Sequence, residues 1–170
     1  MKYTTREMNV EYIPHVQHVA KASWKHTYKG LIPIDIQERF IASAYSSEMM
    51  KKRLETSYLF LAEVNGEVVG FANFSPIKKD GSAELGAIYL LPAFQGAGIG
   101  TKLLKLGISK LKGAAEIYIN VEKENKSGRT FYEAKGFETV SEFDDDFDGH
   151  ILQTVRMVLK RDSGTVLVSR

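Results

Sequence analysis

The chain has 170 residues, of which 44% are hydrophobic and 26% are charged, and these values are typical of one soluble globular domain. It contains no cysteine, which excludes a disulfide scaffold, a cysteine-ligated metal and a cysteine nucleophile. The net charge of +2 gives no support for a general nucleic-acid binder. Because no apolar run reaches about 18 residues and the first residues do not form a signal peptide, we expect a cytoplasmic protein without a membrane partner.

Hydrophobic periodicity predicts that the N-terminal part of the chain is mainly helical. After a short strand over 3–8, apolar residues at steps of three and four predict an amphipathic helix that begins near Pro14 and ends before Gly30. A second helix is predicted over 35–44. A third helix follows Ser46, whose side chain suits the N-cap position.

From residue 58 onward the hydrophobic period becomes that of strands. Two strands are predicted over 58–64 and 67–74, joined by a hairpin turn at Asn65-Gly66, and a third over 83–91. The remaining predicted elements are a glycine-rich turn at 95–100 and the helix after it, a strand over 115–121, a helix over 125–135, and an antiparallel strand pair over 137–143 and 151–159. This order predicts an α/β fold, with a single domain over 1–161 and a C-terminal tail over 162–170, and excludes a doubly wound sheet.

The turn Gln95-Gly96-Ala97-Gly98-Ile99-Gly100 lies between a predicted strand and a predicted helix. Its six backbone N–H groups, together with the helix N-terminus and the Thr101 hydroxyl, could bind a phosphate or pyrophosphate group. The same glycines would also suit a tight turn without a ligand, and a short glycine pattern alone does not decide between these interpretations. Their spacing excludes the Walker and Rossmann patterns.

Two motifs in this order resemble those of the GNAT superfamily of acetyl-CoA-dependent N-acetyltransferases. The first is Q-x-x-G-x-G, formed by Gln95, Gly98 and Gly100, and the second is Asn125 followed by F-Y-E-A-K-G-F at 131–137. The resemblance extends over roughly 58–137. Within the superfamily, the segments 26–33 and 83–89 are more loosely similar to the PaiA-type branch, which acetylates polyamines.

The resemblance implies a mixed, mostly antiparallel central sheet flanked by helices, in which the strands over 83–91 and 115–121 splay apart. It also implies that acetyl-CoA binds in the gap as co-substrate, with its pantetheine arm along the first strand and its pyrophosphate on the glycine turn. The implied coenzyme-binding residues are Ile88, Tyr89, Leu90, Gln95, Gly96, Ala97, Gly98, Ile99, Gly100, Thr101, Asn125 and Arg129, and Lys102 is a second candidate beside Arg129 for the outer phosphate.

The same resemblance identifies Tyr132 with the general acid that protonates the departing thiolate, although a tyrosine here could also belong to the core. For the general base we predict Glu84, a carboxylate in an otherwise apolar strand, and the alternative is a solvated glutamate at the rim of the sheet. His15 and His18 have no accompanying carboxylate pattern, so no metal site is predicted.

Two groups of residues are candidates for binding the acceptor. Trp24 and Tyr28 lie one helical turn apart and would line the acceptor mouth, unless they are simply core residues. Asp144, Asp145 and Asp146 are expected in the connection between the two closing strands. These carboxylates could attract a polycation, whereas the alternative is a solvated turn.

These observations predict an enzyme that moves an acetyl group from acetyl-CoA to a small-molecule primary amine by direct transfer in a ternary complex. The acceptor amine could be a polyamine. Acetylation of peptide or protein amines and a non-catalytic acyl-CoA-binding sensor are the alternatives. The resemblance also favours a homodimer.

Overall fold

The structure, a computed structural model, describes residues 2–161 of the chain. The helices of this part are α1 (Ile13–Thr27), α2 (Ile34–Ala44), α3 (Ser47–Thr56), α4 (Ile99–Lys110) and α5 (Lys126–Ala134). The strands are β1 (Thr4–Glu7), β2 (Tyr58–Val64), β3 (Glu67–Phe74), β4 (Ser82–Leu90), β5 (Glu116–Glu122), β6 (Glu138–Phe147) and β7 (His150–Lys160). The predicted tail over 162–170 lies outside the described residues.

The seven strands form a single sheet in the order β1-β2-β3-β4-β5-β7-β6. Every neighbouring pair is antiparallel except β4 and β5, which are parallel. The prediction of an α/β fold with a mixed, mostly antiparallel sheet flanked by helices is therefore confirmed.

Local sequence signals set several of these boundaries. The Ser46 hydroxyl accepts a hydrogen bond of 3.1 Å from the Met49 N–H, which caps α3 as predicted. Asn65 and Gly66 both adopt positive φ, at 50° and 79°, and turn β2 into β3. Asn125 caps α5 by accepting a hydrogen bond of 3.0 Å from the Gly128 N–H.

Helices α1 and α4 cover opposite faces of the sheet. The indole of Trp24 on α1 donates a hydrogen bond of 2.9 Å to the hydroxyl of Tyr89 on β4. On the other face, Gly107 on α4 meets the fully buried ring of Phe74 so closely that a Cβ atom at position 107 would lie 2.0 Å from the ring. This close approach requires glycine.

The parallel pairing of β4 with β5 is short, and the two strands then separate. Their register runs from Ser82 and Glu116 to Glu84 and Tyr118, and no pairing of the two strands continues beyond that point in the described residues. Past the split, β4 continues to pair with β3 and β5 with β7. The predicted splay is thus confirmed, and it opens the sheet at its centre.

The closing hairpin is longer than predicted. Strand β6 continues to Phe147 and pairs with β7 along the acidic segment, with Asp145 opposite Leu152. The expectation that Asp144, Asp145 and Asp146 lie in a connection is therefore wrong. The turn itself consists of Asp148 and Gly149, which have φ of 53° and 85°.

Candidate active site

A cavity of about 540 Å³ lies where β4 and β5 separate. The cavity is lined by α1, the splayed parts of β4 and β5, the glycine turn, α5 and the end of β6, and Phe40 of α2 adds one ring. Most of the residues predicted for coenzyme, chemistry and acceptor therefore meet in one space.

The glycine turn lies beside this cavity and has a row of backbone N–H groups without an acceptor in the described residues. Gly96 and Gly98 have φ of 78° and 85°, a conformation that L side chains rarely adopt. Within 2–161, no acceptor is bonded to the N–H groups from Gly96 to Thr101. The N–H of Gln95 instead donates to the Pro92 carbonyl at 3.3 Å, so the predicted set of six donors is displaced by one residue.

The side chains around the turn divide into those that reach the cavity and those that do not. Gln95 and Thr101 line it, whereas Ile99 is fully buried in the core of α4. The side chains of Ala97 and Lys102 are exposed and lie outside the lining.

Arg129, predicted to hold the outer phosphate, turns toward its own loop. Its Nη1 donates a hydrogen bond of 2.9 Å to the Lys123 carbonyl, and it is not part of the lining. The geometry therefore gives Arg129 the role of tying the β5–α5 loop together.

The edge of β4 that faces the gap has backbone groups available for a ligand. The Leu91 N–H donates to the Val69 carbonyl at 2.8 Å, so by the alternation of an antiparallel ladder Tyr89 also directs its backbone groups toward β3. Ile88 and Leu90 then direct theirs into the gap, as predicted. The Tyr89 side chain lines the cavity on the side of Trp24.

Tyr132 lies on α5 with its ring in the cavity wall and is only 7% exposed. Burial and the nearby Glu122 raise the pKa of its hydroxyl above the usual value, so the group remains protonated at neutral pH. In the described part of the chain this hydroxyl has no hydrogen-bond partner, and it is free to donate to a ligand.

Glu122, at the end of β5, was not predicted. Its carboxylate lines the cavity and accepts a hydrogen bond from the hydroxyl of Tyr28 on α1. Burial raises its pKa, and the negative charge of Asp145 acts in the same direction. Because Lys123 and Glu124 follow it, the sequence around Glu122 resembles a solvated turn. The signal was the polar alternation of Tyr118, Asn120 and Glu122 on the strand after the glycine turn.

Glu84, predicted as the base, lies outside this cavity. It forms an ion pair of 2.5 Å with Arg156 and one of 3.4 Å with Lys78, and it lines a separate depression beside Ser75 and Gly86. Because two cations hold its carboxylate away from the cavity, the prediction that Glu84 is the general base is wrong.

The aspartates of β6 are separated by the alternation of the strand. Asp145 is half-buried and lines the cavity, whereas Asp144 and Asp146 are exposed on the other side. Asp146 accepts a hydrogen bond of 2.6 Å from the Gly149 N–H. The prediction that all three face an acceptor is wrong for Asp144 and Asp146.

Four aromatic rings form one wall of the cavity: Trp24, Tyr28, Phe40 and Phe147. Trp24 stacks on Phe40 with ring centres 4.4 Å apart, and Phe40 meets Phe147 edge-on at 5.4 Å. Trp24 and Tyr28 are 3% and 4% exposed, so they belong to the core and also line the cavity. The two interpretations of this pair are therefore compatible.

Residues 2–161 show neither a metal-binding cluster nor a membrane-spanning helix. They contain no group of three or more His, Cys, Asp or Glu side chains that could hold a metal ion. None of their helices is long and apolar enough to cross a membrane.

Comparison with known proteins identifies the family. The family model described as "Acetyltransferase (GNAT) family" matches residues 23–137. The chain belongs to the GNAT family of acetyltransferases.

Sequence and structural similarity to individual GNAT proteins supports this assignment. A spermidine N(1)-acetyltransferase from Thermoplasma acidophilum is 30% identical over 155 residues, which are 86% of this chain and 95% of the relative. An uncharacterized N-acetyltransferase from Bacillus subtilis, YuaI, is 33% identical over 144 residues, 82% of each chain. The crystal structure of PaiA N-acetyltransferase from Thermoplasma acidophilum in complex with coenzyme A has a TM-score of 0.81 and 27% identity, and the match covers 95% of this chain and 100% of that one.

The protein is therefore an acetyl-CoA-dependent N-acetyltransferase of the GNAT family. Its residues fit the coenzyme, because the free N–H groups of the glycine turn suit a pyrophosphate. The unpaired edge of β4 in turn suits an amide-rich chain laid along it.

Proposed function

We propose that the protein acetylates a primary amine of the polyamine class, such as spermidine, by direct transfer in a ternary complex. The observation that carries this proposal is that Glu122 and Tyr132, from β5 and α5, face the same cavity beside the glycine turn. The similarity to a spermidine acetyltransferase supports the choice of acceptor.

In this proposal the coenzyme is held mainly by backbone groups. The N–H groups from Gly96 to Thr101 bind its pyrophosphate, and the edge of β4 at Ile88 and Leu90 binds its pantetheine amides. Asn125 and Thr101 add polar side chains that line the same part of the cavity. Bound in this way, acetyl-CoA supplies the acetyl group as a reactive thioester.

Glu122 is the proposed general base. An alkyl ammonium has a pKa of about 10 and cannot act as a nucleophile until it loses a proton. The Glu122 carboxylate accepts that proton, directly or through a water molecule, and its raised pKa makes it a better acceptor than an exposed glutamate. The Tyr28 hydroxyl holds the carboxylate in place by its hydrogen bond to Oε2.

Tyr132 is the proposed general acid. When the amine has bonded to the acetyl carbon, the carbon–sulfur bond breaks and the sulfur gains an electron pair. The Tyr132 hydroxyl donates its proton to that sulfur, the acylated nitrogen releases its second proton to water, and the Tyr132 oxygen is reprotonated from solvent. Among the described residues this hydroxyl has no hydrogen-bond partner, and this favours its role as the acid.

The residues of the cavity disfavour a covalent acyl-enzyme. The chain has no cysteine. Ser23 and Ser127 line the cavity, but no described lining residue is a histidine that could activate either hydroxyl. Direct attack by the amine needs no such nucleophile.

Initial-velocity kinetics test the proposal. Spermidine, an N-terminal peptide amine and an aminoglycoside are each varied against acetyl-CoA while the release of coenzyme A thiol is followed. We expect turnover with spermidine and intersecting double-reciprocal lines, as for a ternary complex. Parallel lines would contradict direct transfer, and turnover with the peptide alone would contradict the proposed acceptor class.

A further inference from the structure

The charge inside the cavity is one-sided. Among residues 2–161, the charged side chains that line the cavity are Glu122 and Asp145, and no lysine, arginine or histidine lines it. Burial is the main cause of the raised pKa of Glu122, and the negative charge of Asp145 adds to it. Two carboxylates without a matching cation favour a ligand that carries positive charge.

Unlike Asp146 and Asp148, Asp145 has no partner among residues 2–161, and unlike the exposed Asp144 it lines the cavity. Asp148 forms an ion pair of 2.6 Å with Arg39, and Asp146 caps the Gly149 N–H. Among residues 2–161 nothing donates a hydrogen bond to the half-buried Asp145 carboxylate or forms an ion pair with it. Its charge is therefore available to a ligand in the cavity.

The surroundings of Asp145 suit an alkylammonium group. Phe147 lies two residues further along the same face of β6, and it contacts both Phe40 and Trp24, with ring centres 5.4 and 6.0 Å apart. Aromatic faces attract cations and also cover methylene groups. The unpartnered, buried Tyr132 hydroxyl in the same cavity independently indicates where the reacting end of a ligand lies.

We infer that Asp145 is a specificity-determining residue: with the wall of Trp24, Phe40 and Phe147, it binds a second cationic group of the acceptor. This inference rests on the proposed function, since it assumes that an amine is deprotonated at Glu122. The enzyme then selects amines with a further ammonium along an alkyl chain, and it rejects amines with a carboxylate at that place.

Acceptors that differ only in their distal charge test the inference. Putrescine, 4-amino-1-butanol and 4-aminobutanoate share one primary amine and a four-carbon chain but end in a cation, a neutral group and an anion. The six-carbon series is measured in parallel. At saturating acetyl-CoA we expect kcat/KM to fall by about 10- to 100-fold at each step from the diamine to the amino acid in at least one series, the range for one close charge in a partly buried site.

The variant Asp145→Asn should remove most of this discrimination. It keeps the shape of the side chain and removes its charge, so the KM for the diamine should rise by about 10- to 100-fold while kcat/KM for the amino alcohol changes by less than about threefold. Asp144→Asn is the matched control, because this neighbour is exposed on the other side of β6 and should leave both values unchanged.

The possible outcomes separate the inference from the proposed function. If the wild type acetylates all three acceptors of both series at similar rates, or if Asp145→Asn retains the full preference for the diamine, the inference is overturned and amine acetylation stands. An equal loss of activity in Asp145→Asn toward all acceptors would also overturn it. If the wild type acetylates no small amine, including spermidine, the proposed function itself fails.

Discussion

The Tyr28 hydroxyl on α1 donates a hydrogen bond to Oε2 of Glu122 at the end of β5. The bond joins residues 94 positions apart in the chain and lies inside the cavity. It lowers the pKa of Glu122, whereas burial and Asp145 raise it. Burial and two neighbouring side chains, Tyr28 and Asp145, thus help to set the pH at which this carboxylate can accept a proton.

The pH dependence of kcat/KM should report these opposing effects. A base must be deprotonated, so activity falls as the pH decreases through the pKa of Glu122. Tyr28→Phe removes the bond that lowers this pKa and should move the acidic limb to higher pH. Asp145→Asn removes the charge that raises it and should move the limb to lower pH. Shifts in the same direction, measured with 4-amino-1-butanol, would contradict this assignment.

The two glutamates should behave differently on neutralisation. Glu122→Gln should lower kcat at neutral pH by about 10²- to 10⁴-fold, the range for losing a general base, with partial recovery at high pH where more amine is free. Glu84→Gln is the matched comparison, and we expect its kcat to stay within about twofold because its carboxylate pairs with Arg156 outside the cavity. The reverse result would restore Glu84 as the base.

Tyr132→Phe should lower kcat by about 10²- to 10⁴-fold and leave the affinity for coenzyme A almost unchanged. The phenyl ring keeps the packing against Phe137, and no hydrogen bond to the described protein is lost. Calorimetric titration of coenzyme A and the Tm of the variant serve as controls for binding and folding. Turnover within twofold of the wild type would exclude Tyr132 from the reaction.

Gly98→Asp should weaken coenzyme A binding by about 100-fold or more, because it places a carboxylate beside the free N–H groups that are proposed to bind the pyrophosphate. Gly98→Asn is the control for shape, since asparagine and aspartate both tolerate the positive φ of this position. A smaller loss is expected for Gly98→Asn. Equal losses in calorimetry would attribute the effect to strain and not to charge.

Gly107→Ala should destabilise the protein by about 1–3 kcal/mol, since the new Cβ would overlap the buried Phe74 ring. At about 2–4 °C per kcal/mol for a chain of this size, the Tm should fall measurably. Ser109→Ala, an exposed position on the same helix, should change stability by less than about 0.5 kcal/mol. An increased Tm for Gly107→Ala would show that Phe74 can move aside.

Those parts of the fold that local chemistry specifies could be predicted from the sequence. Ser46 as a cap and Asn65-Gly66 as a turn act through their immediate neighbours. The extension of β6 to Phe147 could not be predicted, because its acidic residues do not alternate with apolar ones and only the pairing with β7 holds them in a strand.

The candidate site was predictable only where it follows a motif. The glycine turn and Tyr132 belong to such motifs. Glu122 does not: the alternation of β5 places it on the polar face, but its burial and its hydrogen bond from Tyr28, 94 positions away, depend on the tertiary fold. Glu84 had the expected residue type and strand, but its ion pair with Arg156, 72 positions away, removes it from the cavity.

The charge of β6 also has a consequence for how two copies of the protein can meet. In the described chain, β6 is an outer strand of the sheet with β7 as its neighbour, and it carries five acidic residues. A second copy that added its own β6 in antiparallel orientation would set carboxylates against carboxylates. At neutral pH, mutual repulsion therefore disfavours the pairing of two β6 strands at this border.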